Sequence, residues 1–207
     1  MAISITPTNA YAWKARGHMV TAAIAWDQMT PAAQARASAL LRLKPQYNGW
    51  VAGVPTATRD KVAFVVAATW PDRIRGLECD RSHPAPCYRD DGYEPPDAGS
   101  DLNIGYADMR LRKYWHFKDL AFSPDGTAVA EPFAHNAESQ IAMFDAALAN
   151  ASLGDEAKSY DLAWSFTSWE TCTSRFTRYR GSRAKPRTGT AAATASRSAC
   201  PLARRVA

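Results

Sequence analysis

The sequence predicts a mainly helical, all-α protein. Apolar residues recur at helical spacing in several segments, helix-start signals precede three of them, and no segment alternates between apolar and polar residues with a period of two. The chain has 207 residues, of which 46% are hydrophobic and 22% charged, values typical of a globular protein of one domain. It contains no run of about 18 apolar residues, so we predict no membrane span.

The first helix is predicted over residues 17–29. Val20 and Ile24 are four residues apart, and Ala23 and Trp26 lie one step round the same face. This spacing predicts that the four side chains form the buried face of the helix.

Two further helices are predicted before residue 75. Thr30 is a good N-cap and Pro31 suits the first helical position, so a second helix begins there and stops before Pro45. The apolar stretch 59–70 predicts a third helix, and Pro71 should kink or restart the chain.

The second half of the chain begins with a loop and continues with two helices. Residues 76–113 are rich in Gly, Pro, Asp and Tyr and predict a long loop. Asn136 is a suitable N-cap for a helix that extends to about residue 150. Asp155 is a candidate cap for the next helix, which ends in the sequence SYDLAW.

The composition changes abruptly at Ser165. Residues 165–207 contain one Leu, one Val, no Ile and no Met, together with nine basic residues and one acid, Glu170. Such a segment cannot bury a core, so we predict that it is disordered. The excess positive charge of the chain lies here, and a basic tail of this kind can serve as a nucleic-acid-binding arm.

The N-terminus allows two interpretations. Ala10-Tyr11-Ala12 has the small-x-small form of a signal-peptidase site, but residues 1–12 lack a basic n-region and an apolar h-region. The segment is either an ordinary disordered terminus or the remnant of a signal peptide.

Two histidines and one aspartate lie in aromatic-rich motifs. His18 follows WKARG, Asp72 lies in ATWPDRIR, and His116 lies in KYWHFKD. Imidazole and carboxylate are good zinc ligands, and a mixed set suits a catalytic site with open coordination positions. The three residues are far apart in sequence, so spacing alone does not join them.

In this order, Trp13 with Gly17-His18, then Trp70-x-Asp72, then Trp115-His116-Phe117 resembles the secreted, zinc-dependent, single-strand-specific nucleases of the S-one/P-one type. The phrases AATWPD, NIGYAD, KYWHFKDLAFSPDGT and KSYDLAW are similar to the bacterial branch, and the resemblance covers about residues 13–164. It implies a helical fold like that of zinc phospholipase C and three bound zinc ions (Zn²⁺). It also implies an endonuclease that cleaves single-stranded DNA and RNA to 5′-phosphorylated products. We further expect a secreted or periplasmic monomer.

The resemblance also implies roles for individual residues. It gives two ligands to each of two zinc ions, namely Trp13 and His18, and Asp72 and His116. The Trp13 ligand atoms are a free α-amino group and the carbonyl, so the resemblance favours cleavage after Ala12 and the signal-peptide interpretation of residues 1–12. Asp72 would also orient the attacking water. Three further residues would contact substrate: Arg75 a phosphate, Phe117 the face of a base and Asp119 a base edge.

The family pattern stops at Trp164. It continues with Leu-Leu-His-x-x-x-Asp-x-His-Gln-Pro-Leu-His, whereas this chain has neither His nor Asp from Ser165 to Thr177. When the third base of each codon is grouped with the first two of the next, the same stretch is compatible with His-Leu-Val-Gly-Asp-Val-His-Gln-Pro-Leu-His. We therefore hypothesise that one nucleotide was lost near the codon for Ser165 and that 165–207 is an out-of-frame tail. Residues 13–164 would then be the N-terminal part of a nuclease domain, nearly inactive because later ligands are missing.

Cys79 and Cys87 flank His83 at C-x3-H-x3-C spacing. This spacing allows a small zinc site, although no fourth ligand is evident. In a secreted protein a Cys79–Cys87 disulfide is the favoured alternative.

Two other functions remain open from the sequence. A zinc phospholipase C relative would share the fold and the ligand types, but a lipid head group does not need the base-stacking ring of Phe117. A non-enzymatic, basic nucleic-acid binder would use the 165–207 tail, and its binding would be sensitive to salt.

Overall fold

The computed structural model describes residues 15–80, 86–92, 105–122, 128, 134–173 and 177–181. Helices dominate this part of the chain, which confirms the mainly helical class. The helices are α1 (Ala15–Gln28), α2 (Pro31–Arg42), α3 (Tyr47–Trp50), α4 (Arg59–Ala67), α5 (Trp70–Arg73), α6 (Ala137–Ala149) and α7 (Asp155–Thr173). Helix α7 packs against α1, α2, α5 and α6 and is the central element of the described fold. No helix in the described ranges combines the length and apolar character needed to cross a membrane.

Short 3-10 turns and one strand pair complete the described structure. The turns are Thr56–Thr58, Ile74–Leu77, Gly105–Ala107 and Lys113–His116. Strand β1 (Lys118–Phe122) pairs in parallel with β2 (Thr177–Gly181). The sequence did not predict this pair, because neither segment alternates in polarity and the period-two signal is absent from both.

Helix α1 forms as predicted but buries a different face. His18, Ala22 and Trp26 are buried at intervals of one turn, whereas Val20 and Ile24 are 53% and 55% exposed. The prediction for Val20 and Ile24 was therefore wrong. The orientation of α1 follows its partner α4, against which the Trp26 ring packs, and the buried face includes a histidine that an apolar count leaves out.

The capping predictions for α2 and α6 are confirmed. Thr30 Oγ1 accepts a hydrogen bond from the backbone N of Ala33 at 3.2 Å, with Pro31 as the first helical residue. Asn136 and Ser139 form a reciprocal capping box at the start of α6. Helix α4 ends at Ala67, short of the predicted end at Trp70, and the chain restarts in α5 next to Pro71, as predicted.

The prediction that Asp155 caps the last helix was wrong. Asp155 is the first residue of α7, and its carboxylate forms a two-point ion pair with Arg36 of α2, with Nη1–Oδ2 at 2.8 Å. The acid is engaged between two helices, so it joins α7 to α2.

Regular structure continues beyond Ser165. Helix α7 extends to Thr173, the Phe166 ring packs edge-on against Phe64 at 4.6 Å, and residues 177–181 form β2. The prediction of disorder is therefore wrong for 165–173 and 177–181. A helix that is already nucleated and packed propagates at little further cost, so the absence of an apolar period does not stop it. Residues 174–176 and 182–207 lie outside the described part of the chain.

The core has two parts that share Trp50 at their edges. The helical cluster lies between α1, α2 and α4 and contains Trp26, Leu41 and Phe64. The aromatic cluster surrounds α7, and its large members are Trp70, Tyr88, Tyr114, Trp115, Phe144, Tyr160 and Trp164.

Lys44 is buried against rings of the aromatic cluster. It is 2% exposed, and its Nζ lies 3.0 Å from the centroid of the Trp70 ring and 4.5 Å from that of Tyr106. Within the described residues this ammonium group has no hydrogen-bond partner. Burial lowers the pKa of Lys44 well below its ordinary value. Cation–π attraction of about 2 kcal/mol does not offset a desolvation penalty of several kcal/mol, so burial favours the neutral form of the amine.

We expect the substitution Lys44→Met to stabilise the protein by about 1–3 kcal/mol, because it removes a buried polar group that lacks a partner. In the parent, the unfolded chain binds a proton that the folded chain does not, between the lowered pKa of Lys44 and the ordinary value. The free energy of unfolding should therefore rise with pH in this window, and this slope should be absent from the variant. Urea denaturation at several pH values measures both effects. Lys61→Met, at an exposed lysine paired with Asp27, is the control. Destabilisation by Lys44→Met would contradict the expectation.

Candidate metal centre

The structure brings together three of the residues that the sequence singled out. Asp72 lies between the two histidines, with His18 Nε2 donating to its Oδ2 at 2.9 Å and His116 Nδ1 3.6 Å from its Oδ1. These side chains come from three distant segments of the chain. Their meeting is therefore a product of the tertiary fold.

Each of the three residues is carried by a packed element. His18 lies on the buried face of α1. Asp72 lies in the four-residue helix α5, which is anchored by the buried Trp70 and by Ile74 just beyond it. His116 ends the Lys113–His116 turn, where its ring meets the edge of Trp164 at 5.3 Å between centroids.

The three groups differ in exposure and charge. Both imidazoles are almost fully buried, whereas the Asp72 side chain is 34% exposed, so the carboxylate is the solvent-facing member. Burial by itself would raise the pKa of Asp72, but the hydrogen bond from His18 and the nearby His116 and Arg75 hold it below its ordinary value. Burial is also the main cause that lowers the pKa of His116 to about 4. At neutral pH we therefore expect an ionised carboxylate beside a neutral His116, the protonation state in which both residue types bind metal.

The donor atoms fit zinc in kind. His116 Nε2 is buried and makes no hydrogen bond to any residue that the structure describes, so its ring has a nitrogen available for another contact. Imidazole nitrogen and carboxylate oxygen are standard zinc ligands. However, the described residues include no group of three or more His, Cys, Asp or Glu side chains arranged around a single metal ion. The donor set is therefore chemically suitable and numerically incomplete.

Arg75 lies beside the carboxylate. It belongs to the Ile74–Leu77 turn that directly follows α5, and its Nη1 is 3.7 Å from Asp72 Oδ1. The guanidinium is exposed, so an anion in solution can reach it. Its planar fork suits the oxygens of a phosphate group.

The other predicted residues differ in what the structure describes. Phe117 directly follows His116, is half-buried, and accepts a hydrogen bond at its carbonyl from Ala137 N at 3.0 Å. Asp119 lies in β1 opposite Arg178, and its side chain is outside the described part of the structure. Trp13 also lies outside the described residues.

Cys79 and Cys87 form a disulfide, with an S–S distance of 2.02 Å. Of the two alternatives for these cysteines, the structure therefore contains the disulfide. The zinc site with His83 is excluded in this state, because both sulfurs are bonded to each other. His83 itself lies outside the described residues.

Sequence reasoning did not identify two neighbours of the centre. The Trp164 ring packs edge-on against the His116 ring, and Lys113 is the first residue of the turn that carries His116. Trp164 was visible as the last residue of the KSYDLAW phrase, which marks α7 but does not indicate which ring faces a ligand. Lys113 carries no sequence signal, because its role depends on acids from another segment.

Comparisons with family models, with curated proteins and with solved structures find no match to this chain.

Proposed function

We propose that this chain is a zinc-dependent endonuclease for single-stranded DNA and RNA, impaired by the loss of later metal ligands. The observation that carries the proposal is the position of Asp72 between His18 and His116. The sequence resemblance names these three residues as ligands of neighbouring ions, and nothing in their spacing requires them to meet. Their convergence supports the resemblance.

Four residues would hold the metal ions in this proposal. His18 and the α-amino group of Trp13 would bind one zinc, and Asp72 and His116 would bind the other. Bound zinc would supply a water of lowered pKa and Lewis acidity toward phosphate and leaving-group oxygens. Asp72, at the solvent-facing side of the centre, would also orient the attacking water.

Two neighbouring residues would bind the nucleic acid. The Arg75 guanidinium, exposed and close to Asp72, would clamp phosphate oxygens and neutralise the charge that develops on phosphorus. The half-buried ring of Phe117, next to a metal ligand, would provide a face for a base, with Asp119 reading its edge. Base stacking requires an unpaired base, so single strands are the expected substrate. This ring also favours a nuclease over a phospholipase C relative.

The proposed impairment follows from the ligand number. Zinc sites in proteins usually have three or four protein ligands. Two donors for each ion would hold zinc weakly, so turnover should be slow. The disulfide is compatible with a secreted or periplasmic protein, which we propose together with a monomeric state.

We expect the purified chain to retain less than stoichiometric zinc after dialysis and to cleave a labelled single-stranded oligonucleotide slowly, and only at elevated zinc. The substitution Asp72→Asn should weaken zinc binding by about tenfold or more and abolish the residual cleavage, since it replaces the charged carboxylate ligand by a neutral amide. Asp27→Asn, at an exposed acid of α1 paired with Lys61, is the matched control. Phosphatidylcholine should not be hydrolysed.

Three outcomes would oppose parts of the proposal. Absence of zinc-dependent cleavage at every zinc concentration, with Asp72→Asn equal to the parent, would reject the nuclease. Stoichiometric zinc with rapid turnover would reject the impairment. A gene sequence across codons 160–180 that does not encode His-Gln-Pro-Leu-His in the shifted frame would reject the frameshift.

The role of Trp13 needs its own comparison. A chain that begins at Trp13 exposes the α-amino group, whereas one that retains residues 1–12 blocks it in an amide. The first should bind zinc more tightly. Equal affinity would remove Trp13 from the ligand set.

A further inference from the structure

The segments that carry Asp72 and His116 are joined by a connector, which we define as residues 78–80 and 86–90. On the Asp72 side, Tyr88 N donates to Leu77 O at 2.9 Å and Cys79 N donates to Tyr88 O at 2.8 Å. The disulfide closes the connector beside these two bonds. The connector has two arms, residues 78–80 and residues 86–90. The turn that follows Asp72 is hydrogen-bonded to the second arm through Tyr88.

The second arm of the connector is also hydrogen-bonded to the segment that leads to His116. Arg89 N donates to Met109 O at 2.7 Å, and Leu111 N donates to Arg89 O at 3.0 Å. Adjacent residues of the connector thus face opposite ways, with Tyr88 bonded toward Asp72 and Arg89 toward His116. Backbone hydrogen bonds therefore connect the segment that follows Asp72 to the segment that precedes His116.

Lys113 adds a charged link to this path. It is the first residue of the Lys113–His116 turn, and its Nζ lies 2.7 Å from Asp90 Oδ2 and 3.6 Å from Glu78 Oε2. The hydrogen bond from Lys113 holds the pKa of Asp90 below its ordinary value. Glu78 precedes Cys79 and Asp90 follows Arg89, so one ammonium group contacts both arms of the connector.

We infer that Lys113 and the disulfide-closed connector set the spacing between Asp72 and His116, and that Lys113 is a positioning residue for the metal centre. The purpose of the spacing rests on the proposed function, whereas the mechanical coupling does not. Residues that support a metal ligand without touching the metal typically change affinity by about 10–100-fold. A three-way contact that links both ligand segments belongs to this group.

The test compares Lys113→Met with Lys61→Met, which removes another lysine–carboxylate ion pair away from the connector. The first readout uses metal-free protein and follows the NMR shifts of the His116 ring protons, which report the edge contact with Trp164. The second is zinc affinity, measured by competition with a chromophoric chelator. Lys113→Met should change the His116 shifts and weaken zinc binding by about tenfold. Lys113→Arg, which keeps the positive charge, should leave the His116 shifts and the zinc affinity near the parent values. Lys61→Met should change neither quantity.

The disulfide is tested in the same assay with the double variant Cys79→Ser/Cys87→Ser. If Lys113 and the disulfide act through one connector, combining their variants should change the His116 shifts by less than the sum of the separate changes. Unchanged His116 shifts in Lys113→Met, or strictly additive changes, would overturn the inference. Changed shifts without zinc binding in any variant would support the positioning role and reject the proposed function, so the two failures are distinguishable.

Discussion

The substitution Trp164→Ala is expected to lower the free energy of unfolding by about 3–5 kcal/mol, because it opens a cavity at the centre of the aromatic cluster. Trp164 is 0% exposed, and its ring centroid lies 5.1 Å from that of Trp115 and 5.8 Å from that of Trp70. A domain of this size has a total stability of about 5–15 kcal/mol, so this one change removes a large share of it.

The same change should affect the metal centre. Trp164 borders His116, so its loss lets water reach an imidazole that is otherwise almost fully buried. Since burial is the main cause of the lowered pKa of His116, that pKa should rise from about 4 toward its ordinary value.

Urea denaturation and NMR titration of the His116 ring measure the two effects. Trp164→Phe, which keeps an aromatic ring, is the matched control and should cost less stability. A cost below about 1 kcal/mol for Trp164→Ala, well under the range for buried tryptophan, would show that α7 is not the core helix of the protein.

The helices were predictable where local chemistry decides. Thr30 with Pro31, and Asn136 with Ser139, act through side chains only a few residues away, so the sequence contains the whole signal. The face of α1 was not predictable in this way. Whether Val20 or His18 turns inward depends on α4 and α7, which are remote in sequence.

The candidate site likewise has features that the sequence predicts and features that only the tertiary fold determines. The motifs around His18, Asp72 and His116 identify the candidate ligands, but only the packing of α1, α5 and the Lys113–His116 turn brings them together. Lys113 and Trp164 were missed because their roles come from tertiary contacts. Burial of Lys44 opposes the usual preference of a charged residue for solvent, and no local pattern predicts it.

At Ser165 the amino-acid composition predicted an outcome that differs from the observed structure. The composition predicted the end of ordered structure, yet α7 continues to Thr173 because its earlier residues are already packed. The frameshift hypothesis concerns the origin of this segment, and a helical conformation does not bear on it. Many residue types are compatible with a helix, whereas a zinc site needs particular side chains such as His and Asp.

Arg112 is buried against the aromatic cluster. Its Nε donates to Asp108 Oδ2 at 2.9 Å and its Nη1 donates to the Tyr114 hydroxyl at 2.8 Å. Its Nε also lies 4.0 Å from Asp91 Oδ2, and its guanidinium carbon is 4.8 Å from the Trp115 ring centroid. The backbone of Arg112 is left-handed, with φ of 48°, so these contacts also hold a strained residue directly before the His116 turn.

The substitution Arg112→Met is expected to destabilise the protein by about 3–5 kcal/mol, because it leaves buried carboxylates without their cation. Adding Asp108→Asn should recover part of this loss, so a double-mutant cycle by urea denaturation gives the coupling between the two residues. Burial raises the pKa of Asp91 and the charge of Arg112 lowers it, so the pKa of Asp91 should rise further in the variant. The folded variant then binds a proton more readily than the unfolded chain, and its deficit in stability should shrink as the pH falls from neutral through that raised pKa. A deficit that is independent of pH, together with no recovery on adding Asp108→Asn, would show that Arg112 acts through packing on Trp115 and not through its charge.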